Sequence, residues 1–299
     1  MRLKEFFYLL GLRPGLRIYG HRIQHIHLPT DGPIEYARWL SPAAVDLSLE
    51  QDEIDELRTF LTEGDLAIDV GAQVGDSTLP IAIACGASGT VIAFEPNPLT
   101  FAVLAANASL NPTRTNIVPV PYAVADADGP LVFDYGNPFL DNGGNHAGIS
   151  RWRHGSAFRI PVQGRRLEAF IRSRYAELLP RLRYLKTDVE GHDLAVLRSV
   201  EALIEEFRPF IKAEVNGMLS TRERRALYDF LTEHGYAVRR VRGRNLFGHR
   251  ITASNEMNAT ETFDVFATPP GWDAPHAADE AGIDGGPAQT APVPLRGRT

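Results

Sequence analysis

The chain has 299 residues, 44% hydrophobic and 23% charged, a balance that suits one large globular domain with additions and excludes fibrous and disordered classes. Its net charge of −6 excludes a general binder of nucleic-acid backbones, which needs a concentrated positive surface. The single cysteine, Cys85, has no partner for an internal disulfide and falls in a helical apolar pattern, so it reads as a core residue in a reducing, cytoplasmic compartment.

The N-terminal "MRLKEFFYLLGLR" joins basic residues to an apolar run too short to span a bilayer and followed by no small-residue cleavage site. Neither a signal peptide nor a membrane partner is expected. Residues 1–62 read as an extension packed on the main domain, helical over "EQDEIDELRTFL". From Leu66 to Val215 short apolar runs alternate with longer helical patterns, as in βαβ units around a parallel sheet. The expected strands are "LAIDV" from Leu66, "TVIAFE" from Thr90, "NIVPVPYAV" from Asn116, "RYLKTDV" from Arg183 and "PFIKAEV" from Pro209. Pro119 and Pro121 cannot donate to a ladder and place the third of these on an edge.

Helices are expected over residues 76–85, 98–110 and 194–207, the last with Leu194, Leu197, Val200, Ile204 and Phe207 on one face. Residues 126–129 turn into a strand "LVFDY", and residues 136–153, rich in glycine and asparagine, read as a lid-like loop. "TRERRALYDFLTEHGY" is a helix stopped by Gly235, followed by strands "YAVRRVR" and "TFDVFAT". Residues 269–299 turn rich in Pro, Ala and Gly without periodicity, a tail expected to be disordered.

In an open parallel sheet, ligands bind outside the carboxyl ends of the strands. Asp69, Glu95, Asp188 and Glu214 close four of the five expected strands. One such acid is an ordinary solvated turn residue; four at one edge favour a site for a polar, partly cationic ligand. After the first strand, "DVGAQVGDST" sets Gly71 and Gly75 around the turn into a helix. Missing Cβ atoms there let the backbone approach a ligand, and the free N–H groups of the helix start meet an anion. Glu95, at the end of the second strand, is placed for a ribose diol. The G-x-G-x-x-G dinucleotide pattern is missing. A nucleoside with an amino-acid tail, which needs an acid for its ammonium and N–H groups for its carboxylate, fits better; that favours S-adenosylmethionine over NAD.

Three segments, "AIDVGAQVGDSTLPIA", "GTVIAFEPNPLTFAVLAANASLN" with "AVADADG" after it, and "LKTDVEGHDLAVLRSV" with "IKAEVN" after it, give the chain a family likeness. Over residues 63–215 it resembles the FkbM family of S-adenosylmethionine-dependent methyltransferases. The resemblance implies an α/β fold, the class I methyltransferase Rossmann-like doubly wound sheet. Seven strands, mostly parallel, would end in a C-terminal antiparallel hairpin, with the methyltransferase domain over residues 63–268. It also implies methyl transfer to a hydroxyl of a sugar or other small natural-product acceptor, glycosylated or not. N- or carboxyl-methyl transfer and a non-catalytic cofactor-binding module are the alternatives. By the same resemblance Asp69, Gly71, Gln73 and Gly75 surround the methionine moiety, and Thr78 helps bind its carboxylate. Glu95 holds the ribose, Asn97 lies beside ribose and adenine, and Ala123 meets the adenine ring. Two departures stand out: Gln73 where members commonly have Asn, and His192-Asp193 where a small residue and Glu are usual.

Transfer from a sulfonium to a hydroxyl is an in-line displacement, so the enzyme must align the nucleophile and remove its proton. Asp188 is expected to position substrate or act as base. Glu190 is either a base or an acid favoured by a helix start. His192 is an imidazole, suited to base work, or caps the helix; His146, in "DNGGNHAGIS", is a further candidate. Lys186 and Lys212 each precede an acid by two residues on one strand face, and compensate those acids. The other reading of Lys186 is that it orients the acceptor hydroxyl. A divalent ion on Asp188, Glu190 and Glu214 is chemically feasible; none is expected. Phe139 and Trp152 are candidate acceptor-pocket aromatics.

Overall fold

The computed structural model describes residues 18–42, 44, 49–135, 143–144 and 158–272. Within them the chain begins with an antiparallel hairpin, β1 (His21–Leu28) and β2 (Gly32–Trp39), and a short helix α1 (Gln51–Leu57). Gln51 closes the hairpin turn by accepting the backbone N–H groups of Thr30 and Asp31 at 3.0 and 3.1 Å. The helix was legible as such in the sequence, whereas the hairpin was not.

The alternating region follows: β3 (Leu66–Val70), α2 (Thr78–Cys85), β4 (Thr90–Phe94), α3 (Pro98–Ser109) and β5 (Ile117–Val120). Every residue of β3 and β4 is buried, as befits parallel strands covered on both faces. Pro98 opens α3 at a position where no backbone donor is needed, and Asn97 caps it by accepting the Leu99 N–H at 3.0 Å. The single strand expected from Asn116 is instead two. β5 takes the sheet edge and β6 (Tyr122–Val124) leaves for a second sheet, because Pro119 and Pro121 deprive one side of the run of donors.

That second sheet, in the order β6-β9-β7-β8, contains β7 (Gly129–Tyr135), β8 (Gly143–Gly144) and β9 (Phe158–Arg165). Apart from the β8 pair, the loop expected over residues 136–153 lies outside the described residues, as do His146, Phe139 and Trp152. The chain returns through α4 (Leu167–Tyr175) to β10 (Leu182–Thr187), α5 (Asp193–Ser199), α6 (Glu201–Phe207) and β11 (Phe210–Val215). Expected as one helix, α5 and α6 part at Val200, whose φ of −127° is not helical. The break keeps the buried face continuous, since Leu197, Val200 and Ile204 all reach the core.

Last come α7 (Thr221–Glu233), with a capping box of Ser220 and Glu223, then β12 (Ala237–Arg240) and β13 (Phe263–Thr268). The main sheet has seven strands in the order β12-β13-β11-β10-β3-β4-β5, and β13 runs antiparallel to both of its neighbours. One core layer packs Ile68, Ile92, Leu185 and Ile211 against α4 to α7. The other packs Ala67, Val91, Tyr184 and Phe210 against the hairpin, α1 and α2. The tail is docked at its start: Trp272 meets Phe210 edge-on at 5.0 Å and stacks on Phe247 at 5.3 Å. Residues 273–299 lie outside the described residues.

Candidate active site

The loops that leave β3, β4 and β10, three adjacent strands, line a cavity of about 860 Å³. Glu95, directly after β4, is 7% exposed, and its two carboxylate oxygens accept the backbone N–H groups of Gln73 at 2.9 Å and Asn97 at 2.8 Å. Burial pushes its pKa up to about 7, against the opposing pull of those N–H groups and the Thr100 hydroxyl.

Gly71 turns the chain at φ 84°, and a Cβ there would lie 2.0 Å from the carbonyl oxygen of Asp188. Only glycine lets the β3 turn lie this close to the end of β10. Gln73 also stands in the left-handed region at φ 48°, a conformation in which Asn is better tolerated than Gln. That gives a backbone reason for the Asn that the family resemblance implies at this place. Gly71 and Gln73 line the cavity, as do Asn97, 2% exposed, and Ala123 on β6.

Gly75, Asp69 and Thr78 do not line it. Asp69 is 0% exposed and accepts the hydroxyls of Thr78 at 2.7 Å and Ser77 at 3.1 Å, and Lys186 Nζ donates to its other oxygen at 3.1 Å. The Thr78 hydroxyl, expected beside a ligand carboxylate, is therefore engaged below the site. Lys186 also lies 3.6 Å from Asp188. Burial pulls the lysine pKa down, but Asp69, Asp188 and Asp76 together outweigh it and hold the ammonium charged. Compensation is thus what the geometry of Lys186 provides. Lys212 behaves otherwise than expected: its partner is Asp264, at 2.7 Å, and not Glu214. Lys186→Met is expected to cost about 3–5 kcal/mol, because it strands a buried carboxylate. Chemical denaturation checks this, and a loss below about 1 kcal/mol, the range of an exposed pair, would contradict it.

Asp188 follows β10 with a half-exposed side chain at the cavity wall. Glu190 is at φ 52° and Gly191 at φ 91°, so the chain turns through left-handed space before α5 and Glu190 is not part of the helix start. Its carboxylate accepts Asn216 Nδ2 at 3.1 Å, and the same amide reaches Glu214 at 3.0 Å. Burial, with the nearby Asp188 carboxylate, pushes Glu214 up to about 8. His192 occupies the N-cap position of α5 without a side-chain capping bond, and lines the cavity. Asp193, 1% exposed, accepts the Thr187 hydroxyl and, at 3.4 Å, the Glu214 N–H, tying the ends of β10 and β11 together. Burial pushes it up to about 6.

Asp188, Glu190 and Glu214 do not converge as a ligand set. Among the described residues the group whose donor atoms come close enough to share an ion is Glu201, Glu205 and His234. The cavity also has lining residues that sequence reasoning missed: Asp76 and Ser77 after the glycine turn, and Tyr36, Arg38 and Trp39 from β2. Asp76 had a signal, an acid immediately after Gly75 at a helix entrance. The β2 residues had none, because nothing local tells a hairpin strand which helix it will pack against.

The strand order, the antiparallel β13 and a cavity over the carboxyl ends of the central strands define a class I methyltransferase fold. The chain belongs to the FkbM methyltransferase family, whose domain, described as "Methyltransferase FkbM domain", matches residues 69–238. It is 29% identical over 171 residues to the hexuronic acid methyltransferase AglP of Haloferax volcanii, a match spanning 57% of this chain and 64% of that protein. The solved structure of a methyltransferase FkbM from Methylobacillus flagellatus aligns at 14% identity and a TM-score of 0.41, over 69% of this chain and 44% of that one. An S-adenosylmethionine-dependent O-methyltransferase from Thermotoga maritima aligns at 14% identity and a TM-score of 0.40, over 84% and 78%. No helix among the described residues is long and apolar enough to cross a membrane.

Proposed function

We propose that the protein is an S-adenosylmethionine-dependent O-methyltransferase acting on a hydroxyl of a sugar or another small hydroxylated acceptor, in the cytoplasm. The observation behind this reading is Glu95, a buried carboxylate gripped by two N–H groups at the end of the second parallel strand of an FkbM domain. A carboxylate fixed there accepts both hydroxyls of a ribose. The donor set fits the cofactor: Glu95 for the ribose, Asn97 and Ala123 for the nucleoside, and Gly71 and Gln73 for the methionine portion. Bound S-adenosylmethionine supplies a methyl group on a sulfonium.

The chain supplies the rest. Asp188, held beside Lys186, accepts the proton of the acceptor hydroxyl. Glu190, engaged with Asn216, shapes the turn that presents Asp188, and His192 flanks the acceptor. Similarity to a hexuronic acid methyltransferase makes uronic acids the first acceptors to try. They offer both hydroxyl and carboxylate oxygens, so the product distinguishes the alternatives. Radiolabelled cofactor with a panel of sugars, uronic acids and hydroxylated natural products is expected to yield an alkali-stable methyl ether. Label released by mild alkali would establish an ester, and transfer to amines alone would overturn O-methylation.

A pH dependence follows from Glu95. Ribose hydroxyls donate to the ionised carboxylate, so binding of S-adenosylhomocysteine is expected to strengthen as pH rises through about 7 and level off above it. Between pH 6 and 8 calorimetry should show a gain of about tenfold. An equal gain in Glu95→Gln would show that another group titrates.

A further inference from the structure

Side chains of opposite charge line the cavity at residues that the family match leaves out or gives no role. Tyr36 and Arg38 lie two apart on β2, on one face of the strand, and both line the cavity. Asp76 lines it from the far side of the glycine turn. The Tyr36 hydroxyl, raised in pKa mainly by burial, is also raised by the charge of Asp76 and lowered by that of Arg38. All three side chains line the one cavity. The family match begins at residue 69, so the hairpin lies outside it.

A single buried amide sets the placement of the two segments. Asn107 on α3 accepts the Ala37 N–H at 2.6 Å, and its Nδ2 donates to Ala37 O at 3.2 Å and to Val74 O at 2.8 Å. β2 and the glycine turn are thus bolted to the same side chain, one between Tyr36 and Arg38, the other two residues before Asp76. Asn111 repeats the arrangement one turn along, bonding Glu35 N and O at 2.9 and 2.8 Å. These bonds tie β2 to α3 and, through Val74, to the glycine turn.

An α-amino acid presents a carboxylate and an ammonium on one carbon. A cation and an acid lining one cavity match that dipole, and match a neutral polyol poorly. Thr78, expected at the carboxylate of the methyl donor, spends its hydroxyl on Asp69. A guanidinium is the stronger carboxylate partner in any case. We propose that Arg38, Tyr36 and Asp76 clamp the amino-acid head of the methyl donor, Arg38 taking its carboxylate and Asp76 its ammonium; this rests on the methyltransferase reading. The N-terminal hairpin is then part of the cofactor site.

The test compares S-adenosylhomocysteine with 5′-methylthioadenosine, which keeps the nucleoside and thioether and lacks the amino-acid head, by calorimetry on the full chain. The wild type is expected to favour S-adenosylhomocysteine by at least about tenfold. Arg38→Gln and Asp76→Asn should each erase most of that preference while leaving 5′-methylthioadenosine within about twofold, which also reports a folded variant. Equal losses for both ligands, or an unchanged preference, would overturn the clamp. Should Arg38→Gln not fold, Arg38→Lys is read by the same ratio and is expected to lose part of it. Failure of both ligands to bind the wild type would instead remove the methyltransferase reading itself.

Discussion

Replacing Glu95 by alanine is expected to weaken binding of S-adenosylhomocysteine by about a hundredfold or more. The size follows from what is lost: two hydrogen bonds from a diol to a buried charged acceptor, each worth about 1.5–3 kcal/mol. Glu95→Gln keeps the shape and should fall between the two. The stability of the ligand-free protein separates this from a general structural defect. Glu95 titrates near 7 in the fold and at the ordinary carboxylate value when unfolded, so between those values the folded state holds more protons. Stability of the wild type should therefore fall as pH rises from about 4.5 to about 7, and this component should vanish in Glu95→Gln. Denaturant titrations at several pH values check it. Retained cofactor affinity in Glu95→Ala would remove Glu95 from the site.

Asp188→Asn is expected to lower kcat by about 10²–10⁴-fold, the usual worth of a positioned proton acceptor, with affinity for S-adenosylhomocysteine held within about threefold. Asparagine preserves the size of the side chain but cannot take the proton. It also weakens one of the charges around Lys186, whose bond to Asp69 remains. Glu190→Gln should cost less, since its carboxylate is already engaged by Asn216. The comparison is informative because the two acids lie two residues apart in one turn. A turnover in Asp188→Asn close to that of the wild type, with His192→Gln inactive, would transfer the proton-accepting role to His192.

Much of this is legible in the sequence. β3, β4, β10 and β11 follow the apolar runs, and three acids, Glu95 and Asp188 directly after β4 and β10 and Glu214 in the last two residues of β11, stand near the expected edge because strand ends are marked by local pattern. Asp69 shows the limit of the same logic. Spacing placed it at the edge, but only its partners, Lys186, Ser77 and Thr78, show it buried beneath the cavity. Lys212 was paired with the acid two residues on, whereas the antiparallel β13 brings Asp264 alongside, a long-range pairing no local window contains. The hairpin is the largest omission for the same reason. Asn107 reads as an ordinary residue of α3 and Asn111 as one just past its end, and nothing local marks them as the clasp for residues 35 and 37. The split of α5 from α6 arises from Val200 leaving helical space while keeping its side chain in the core.

The central claim is that the cavity over β3, β4 and β10 receives S-adenosylmethionine. It is tested most directly by titrating the wild-type chain with S-adenosylhomocysteine at pH 8, where Glu95 is ionised. The expected result is saturable binding at one site per chain. No saturable binding, or binding of NAD in its place, would contradict the account.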